Sequence, residues 1–222
     1  MNNITPAEGH VILIDKPLEW TSFDVVKKLK YKLKLKKVGH AGTLDPLATG
    51  LLILCTDKKT KQISSIQEQP KEYTGTLVLG KTTASYDLES PIIEGGNTSD
   101  LTEELLLSLI PQFEGEIEQT PPIFSAVKVN GERAYKKARA GKKVELKSRI
   151  VSIYNFEITS INLPEVNFKV NCSKGTYIRS LANDFGKAAG VGAYLSKLRR
   201  TKIGEYSVDD AHTIDSITSE SL

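Results

Sequence analysis

One acidic residue stands where a carboxylate could act on a substrate. Asp45 closes the run Val38-Gly-His-Ala-Gly-Thr-Leu-Asp45 and is followed by Pro46. Small neighbours at Gly39, Ala41 and Gly42 let a substrate approach the backbone, and the proline restrains the aspartate before it. Taken alone, these residues are better read as an ordinary Asp-Pro turn. Histidine occurs only at His10, His40 and His212, which weighs against a histidine-rich metal centre and a Ser-His-Asp relay. Cys55 and Cys172 each end an apolar run, the usual place of a small buried hydrophobe, and support neither a disulfide framework nor a zinc site. Catalysis in this chain would therefore rest on carboxylates.

The surrounding charge points to a polyanion. The net charge is only +3, but its distribution is uneven. Lysines stand at positions 27, 28, 30, 32, 34, 36 and 37 with no acid among them. Nine Lys or Arg residues lie between Lys128 and Arg149, against Glu132 and Glu145, and a third cluster holds Lys197, Arg199, Arg200 and Lys202. Tyr31, Tyr135 and Tyr194 are interleaved with them, as on a surface that meets nucleic acid at several points. Each cluster by itself would also suit a solvated helix face.

The elements that must position Asp45 can be read from periodicity. His10 to Asp15 is a short apolar strand ended by Lys16-Pro17. A helix follows, opened by a capping box at Thr21 to Asp24, with Phe23, Val26, Leu29 and Leu33 as its apolar face and the lysines outward. Val38 to Pro46 reads as loop, Leu51 to Cys55 as a buried strand, and Lys71 to Gly80 as a half-exposed one. Lys81 to Asn97 has little periodicity and reads as an ordered or ligand-ordered loop, and Asp100 to Ile110 as an amphipathic helix stopped by Pro111. Phe124 to Val129 suggests a strand, and Glu132 to Ala140 a basic helix closed by Gly141. Val144 to Ile161 pairs with Glu165 to Cys172, whose inner face is Val166, Phe168, Val170 and Cys172, and a helix spans Tyr177 to Ala189. Strands and helices mix without strict alternation, so the class is α+β in one domain over 1–222. With no long apolar run and no cleavable leader, the expected location is the cytoplasm.

The stretch Gly39-His40-Ala41-Gly42-Thr43-Leu44-Asp45-Pro46-Leu47-Ala48-Thr49-Gly50 resembles the catalytic loop of the TruB family of tRNA pseudouridine synthases. Further segments match in the same order: Ile14-Asp15-Lys16-Pro17, Lys71-Glu72-Tyr73 with Leu79-Gly80, Phe124 to Lys128, Cys172 to Arg179, and Leu198-Arg199-Arg200. The resemblance spans about residues 9 to 212, too much for a chance motif. It implies the pseudouridine synthase fold, a central, mixed, mostly antiparallel sheet flanked by helices and loops.

The resemblance also assigns roles. Asp45 would be the nucleophile, and Arg179 the arginine that pairs with it and orients it. Tyr73 would stack on the target base and assist proton transfer. His40, Tyr177, Leu198 and Lys16 would contact the substrate or brace its pocket, and Lys28, Lys37, Lys128, Arg199 and Arg200 would meet the RNA backbone. The substrate would be the T-arm of tRNA, with the uridine at position 55 isomerised by a monomer that needs no metal, cofactor or protein partner. Residues 120–146 would form an inserted segment that clamps the RNA, and the small C-terminal RNA-binding module common in bacterial members is expected to be absent. Two rivals share parts of this pattern. A non-catalytic RNA chaperone has no need of Asp45, Tyr73 and Arg179 together, and a glycoside or nucleoside hydrolase typically needs a second carboxylate at a defined separation.

Overall fold

The structure, a computed structural model, describes residues 8–125, 127–129, 131–140 and 144–218. Gly141, expected to close the basic helix, lies outside them. In chain order the elements are β1 (Val11–Lys16), α1 (Ser22–Lys32), β2 (Val38–His40), β3 (Ala48–Thr56), α2 (Ile63–Glu68), β4 (Lys71–Leu79), β5 (Lys81–Thr83) and β6 (Ile92–Glu94). There follow α3 (Glu103–Leu109), β7 (Gly115–Gln119), β8 (Lys128–Val129), β9 (Glu132–Arg133), α4 (Ala134–Arg139), β10 (Arg149–Asn162), β11 (Glu165–Cys172), α5 (Ile178–Ala188), β12 (Ala193–Ile203) and β13 (Tyr206–Ser207). The chain divides into two compact units, Met1–Tyr73 with Leu198–Leu222, and Thr74–Lys197. The boundaries fall inside β4 and β12 rather than in linkers, so no shift in composition marks them.

In the first unit β3 runs antiparallel to β1 and β2 and parallel to the end of β12, which also carries β13. Leu51 to Cys55 are fully buried because both faces of β3 are covered. On one face Leu52 and Leu54 join Ile12, Ile14, the α1 residues Val25, Val26 and Leu29, and Leu33 just beyond the helix. On the other, Leu51, Ile53 and Cys55 meet Ala41, Ile66, Ile203 and Val208. Each fully buried Leu or Ile contributes about 1.5–3 kcal/mol of hydrophobic stabilisation.

Helix α1 opens with the expected capping box, Thr21 with Asp24. Its core face differs from the sequence reading: Val25 is fully buried, whereas Phe23 is 69% exposed. A period of 3.6 residues allows either neighbour to turn inward, and the direction of the sheet beneath decides between them. A second correction concerns the glycine-rich run. Val38–His40, expected as loop, pairs with β3 as β2, because Gly39 lets the strand lie against Ile63, where a Cβ would come within 2.6 Å of Ile63 Cδ1.

In the second unit β11 pairs antiparallel with β10, and β10 with β7. The alternation expected for β11 holds, with Val166, Phe168, Val170 and Cys172 at 0–2% exposure. Phe113, Phe156, Phe168 and the α5 residue Phe185 form an aromatic core in which three ring pairs meet edge to face and Phe113 and Phe185 are tilted. Two expectations are shortened here, since the strand at Phe124 to Val129 narrows to β8 and the one at Val144 to Ile161 begins at Arg149. The stretch expected as loop from Lys81 holds the β5–β6 pair.

Candidate active site

Asp45 lies half-buried in the turn from Ala41 to Leu47, which joins β2 to β3. Buried polar groups from three elements of the first unit hold the backbone of that turn. Ser22, in the first turn of α1, accepts from the Leu44 N–H at 2.9 Å and donates to the Leu44 carbonyl at 3.2 Å. Lys16, at the end of β1 and fully buried, donates from Nζ to the carbonyls of Pro17, Trp20 and Pro46. The Pro46 carbonyl also accepts from the Glu19 N–H at 2.8 Å. Arg200 of β12, 1% exposed, donates Nε to the Leu51 carbonyl at 2.8 Å, Nη2 to Gly42 at 3.1 Å and Nη1 to Thr43 at 3.4 Å. The loop thus presents one carboxylate from a backbone with little freedom.

The parallel register of β12 on β3 makes this possible. Leu198, Arg199 and Arg200 stand opposite Ala48, Thr49 and Gly50. Gly50 has a φ of +99°, and a Cβ there would lie 2.3 Å from the Arg200 carbonyl oxygen, so the close approach requires glycine. Gly42, with a φ of +98°, turns the chain just before the aspartate.

One expected role is corrected by this geometry. Arg200 does not meet the RNA backbone, because its guanidinium is buried and already bonded to three carbonyls. Lys16, expected to contact the substrate or brace its pocket, has no exposed surface and holds the loop through backbone carbonyls. Arg199 forms a two-pronged pair with Asp15 at 2.9 and 2.7 Å, with its side chain 39% exposed. Lys28 and Lys37 are exposed as expected. Lys128 falls in β8, and its side chain lies outside the described residues.

Charge is coupled within the loop. Burial pushes the Lys16 ammonium down to about 8, an effect opposed by the Asp45 carboxylate, reinforced by Arg200 and opposed again by Asp24. Burial also lowers His40 below the usual imidazole range, with a backbone hydrogen bond at Gly42 opposing and Arg200 assisting. His40 is thus a neutral hydrogen-bonding group near pH 7. Tyr73, half-buried on β4, and Leu198, half-buried on β12, complete the expected residues of this unit.

In the second unit Arg179 is 4% exposed in the first turn of α5. Its Nε lies 3.5 Å from Asp87 Oδ2, Nη1 donates to the Ser85 carbonyl at 3.2 Å, and Nη2 donates to Phe124 at 3.1 Å. Asp87 was not singled out from the sequence, and Thr83 and Ser85 hold its carbonyl in turn. The spacing Thr83-x-Ser85-x-Asp87 was the available signal, but polar loop residues of this kind are common. Gln119, 1% exposed, fixes Tyr177 by accepting its N–H at 2.7 Å and donating to its carbonyl at 3.1 Å. The Arg149 guanidinium lies 4.9 Å from the centre of the Tyr177 ring. Among the described residues, no group of His, Cys, Asp and Glu is placed to hold a metal ion, and no helix is long and apolar enough to cross a membrane.

The bonds at Leu44 make a prediction. Ser22→Ala leaves the N–H of a residue 4% exposed without its acceptor, at an expected cost of about 1–3 kcal/mol. Urea unfolding reads this directly, and an unchanged midpoint would show that the N–H is satisfied otherwise.

Residues 30–178 match the TruB family pseudouridylate synthase (N terminal domain), and residues 179–222 the tRNA pseudouridylate synthase B C-terminal domain. A tRNA pseudouridine synthase B of Flavobacterium johnsoniae is 57% identical, covering 97% of this chain and 96% of its own length. One from Chloroherpeton thalassium is 51% identical, over 98% of this chain and 92% of the relative. Among solved structures, a chain of a Cbf5-Nop10-Gar1 complex superposes with a TM-score of 0.71 at 33% identity, over 92% of this chain. This chain spans 53% of that one.

Proposed function

The chain belongs to the TruB family of pseudouridylate synthases, and on that premise we propose that it isomerises the uridine at position 55, in the T-loop of tRNA, to pseudouridine. The observation that carries this reading is the single carboxylate of Asp45, offered on a loop pinned through Leu44, Pro46 and Gly42 by Ser22, Lys16 and Arg200. Such preorganisation suits a group that must meet one atom of a bound nucleotide. The enzyme works as a monomer in the cytoplasm without metal, cofactor or protein partner.

A stacked uracil cannot present its glycosidic bond to a carboxylate, so the nucleotide is everted, at a cost of a few kcal/mol. Stacking on Tyr73 and phosphate contacts from exposed lysines such as Lys28 and Lys37 offset that cost. Tyr177 and Leu198 line the base, His40 contributes a neutral hydrogen-bonding edge, and Arg179 pairs with Asp45 to hold it charged and aimed. Asp87, by occupying the Nε side of the same guanidinium, limits the directions in which Arg179 can point. With Asp45 acting on the nucleotide, the C1′–N1 bond breaks, the uracil turns, and a C5–C1′ bond forms. The proton lost from C5 balances the one gained at N1, so the product is an isomer. Residues 120–146 supply the clamp on the T-arm.

The test is a map of pseudouridine in tRNA from cells with and without the protein. The expected result is loss at position 55 alone, restored by the intact gene. An unchanged map would overturn the reading. Release of free uracil by the purified protein would instead favour a hydrolase.

A further inference from the structure

Helix α1 carries more than the loop-pinning serine. With 3.6 residues per turn, its buried side runs through Val25, Val26 and Leu29. Opposite them lie Phe23, Lys27, Lys30 and Tyr31, all exposed. Phe23 is 69% exposed and Tyr31 75%, the two highest values among the large hydrophobic side chains described. They stand eight residues apart, about 12 Å along the axis, with the two lysines between them. Asp24 is the one acid on this side, and its carboxylate is occupied by the N–H and hydroxyl of Thr21. Beyond the helix, Lys34, Lys36 and Lys37 are exposed as well.

Single exposed apolar residues need no explanation. Two aromatic rings flanking lysines on one helix face are a different matter, because rings and ammonium groups together match the two surfaces of an unpaired polynucleotide. Bases have flat faces that stack on aromatic rings with little regard to sequence, and the phosphates between them are attracted to lysine. A protein partner fits less well, since interface cores are depleted in lysine.

We propose that the outward face of α1, through Phe23, Lys27, Lys30 and Tyr31, is a docking platform for unpaired nucleotides of an RNA, outside the pocket that holds the reacting base. The inference rests on the reading of this chain as an RNA-modifying enzyme. It joins substrate capture to catalysis through one helix, whose outer face grips RNA while Ser22 at its N-terminus holds the loop of Asp45.

The test uses the full chain and fluorescence anisotropy with an oligouridine of about fifteen nucleotides, a blunt RNA duplex and a tRNA transcript. The double variant Phe23→Ala, Tyr31→Ala should bind oligouridine at least about tenfold more weakly, with its dependence on salt unchanged and the duplex affected far less. Lys27→Gln with Lys30→Gln should reduce the slope of log affinity against log salt by about 1.4 for the single strand. All four positions are exposed, and melting temperatures like that of the parent confirm folding. Parental affinity for oligouridine in both variants would overturn the proposal. So would retained RNA affinity with lost self-association or lost binding to phosphatidylserine vesicles, which would assign the face to a protein or a lipid surface. Binding needs no turnover, so the two readings fail separately. A parent that makes no pseudouridine refutes the isomerase while the binding result stands, and conversion with unaltered variant binding refutes only the platform.

Discussion

Asp45→Asn is expected to reduce pseudouridine formation by about 10⁴-fold or more, equivalent to roughly 5 kcal/mol of barrier, while tRNA affinity stays within a few-fold of the parent. The substitution preserves shape. The bonds from Lys16, Ser22 and Arg200 are made to the backbone of Pro46, Leu44 and Gly42, so they remain in the variant. It removes the charge. The Asp45 carboxylate favours the protonated form of Lys16, and burial disfavours it, so the variant should lower the Lys16 ammonium further below about 8. Single-turnover assays with tRNA labelled in uridine read the first effect, and filter binding the second. Retained isomerisation would remove Asp45 from its role. Equal loss of binding and turnover would show that the loop had moved.

The second large effect is expected at Arg179. Arg179→Ala leaves Asp87, itself 6% exposed, without the guanidinium beside it, and leaves the carbonyls of Ser85 and Phe124 without their donor. Breaking a buried pair in this way costs about 3–5 kcal/mol, which should appear as a lower midpoint in urea. Turnover should fall by about a thousandfold or more even at temperatures well below that midpoint, because Asp45 loses the charge proposed to aim it. Arg179→Lys separates the two consequences. It restores a cation but not a planar fork, so stability should partly return while turnover remains low. Near-parental rates in either variant would contradict the proposed pairing of Arg179 with Asp45, and an unchanged midpoint for the alanine variant would contradict its anchoring of the 85–87 loop.

Arg200 shows how a residue can be found correctly and assigned wrongly. Its place in a basic cluster, Lys197 to Lys202, suggested a surface that meets phosphate. In the fold it is the largest fully buried side chain among the described residues, and it donates to the carbonyls of Leu51, Gly42 and Thr43. Alternation along β12 turns Arg199 outward to Asp15 and Arg200 inward, a difference that a count of charges does not contain.

Features that depend on neighbours along the chain were legible before any fold was known. The capping box of α1, the alternation of β11 and the apolar run of β3 are local patterns, set by hydrogen bonds and periods that a few residues satisfy among themselves. Membership of the family was legible for the same reason, since its loop around Asp45 is a contiguous string. Which partners meet across long separations emerged only on folding. Tertiary packing selected Val25 over Phe23 for the core, drew Val38–His40 into the sheet, set Asp87 beside Arg179, and buried Arg200 against a loop more than 150 residues away. Those outcomes follow from strand register and from which face of an element finds cover, and neither quantity is encoded in spacing along the chain.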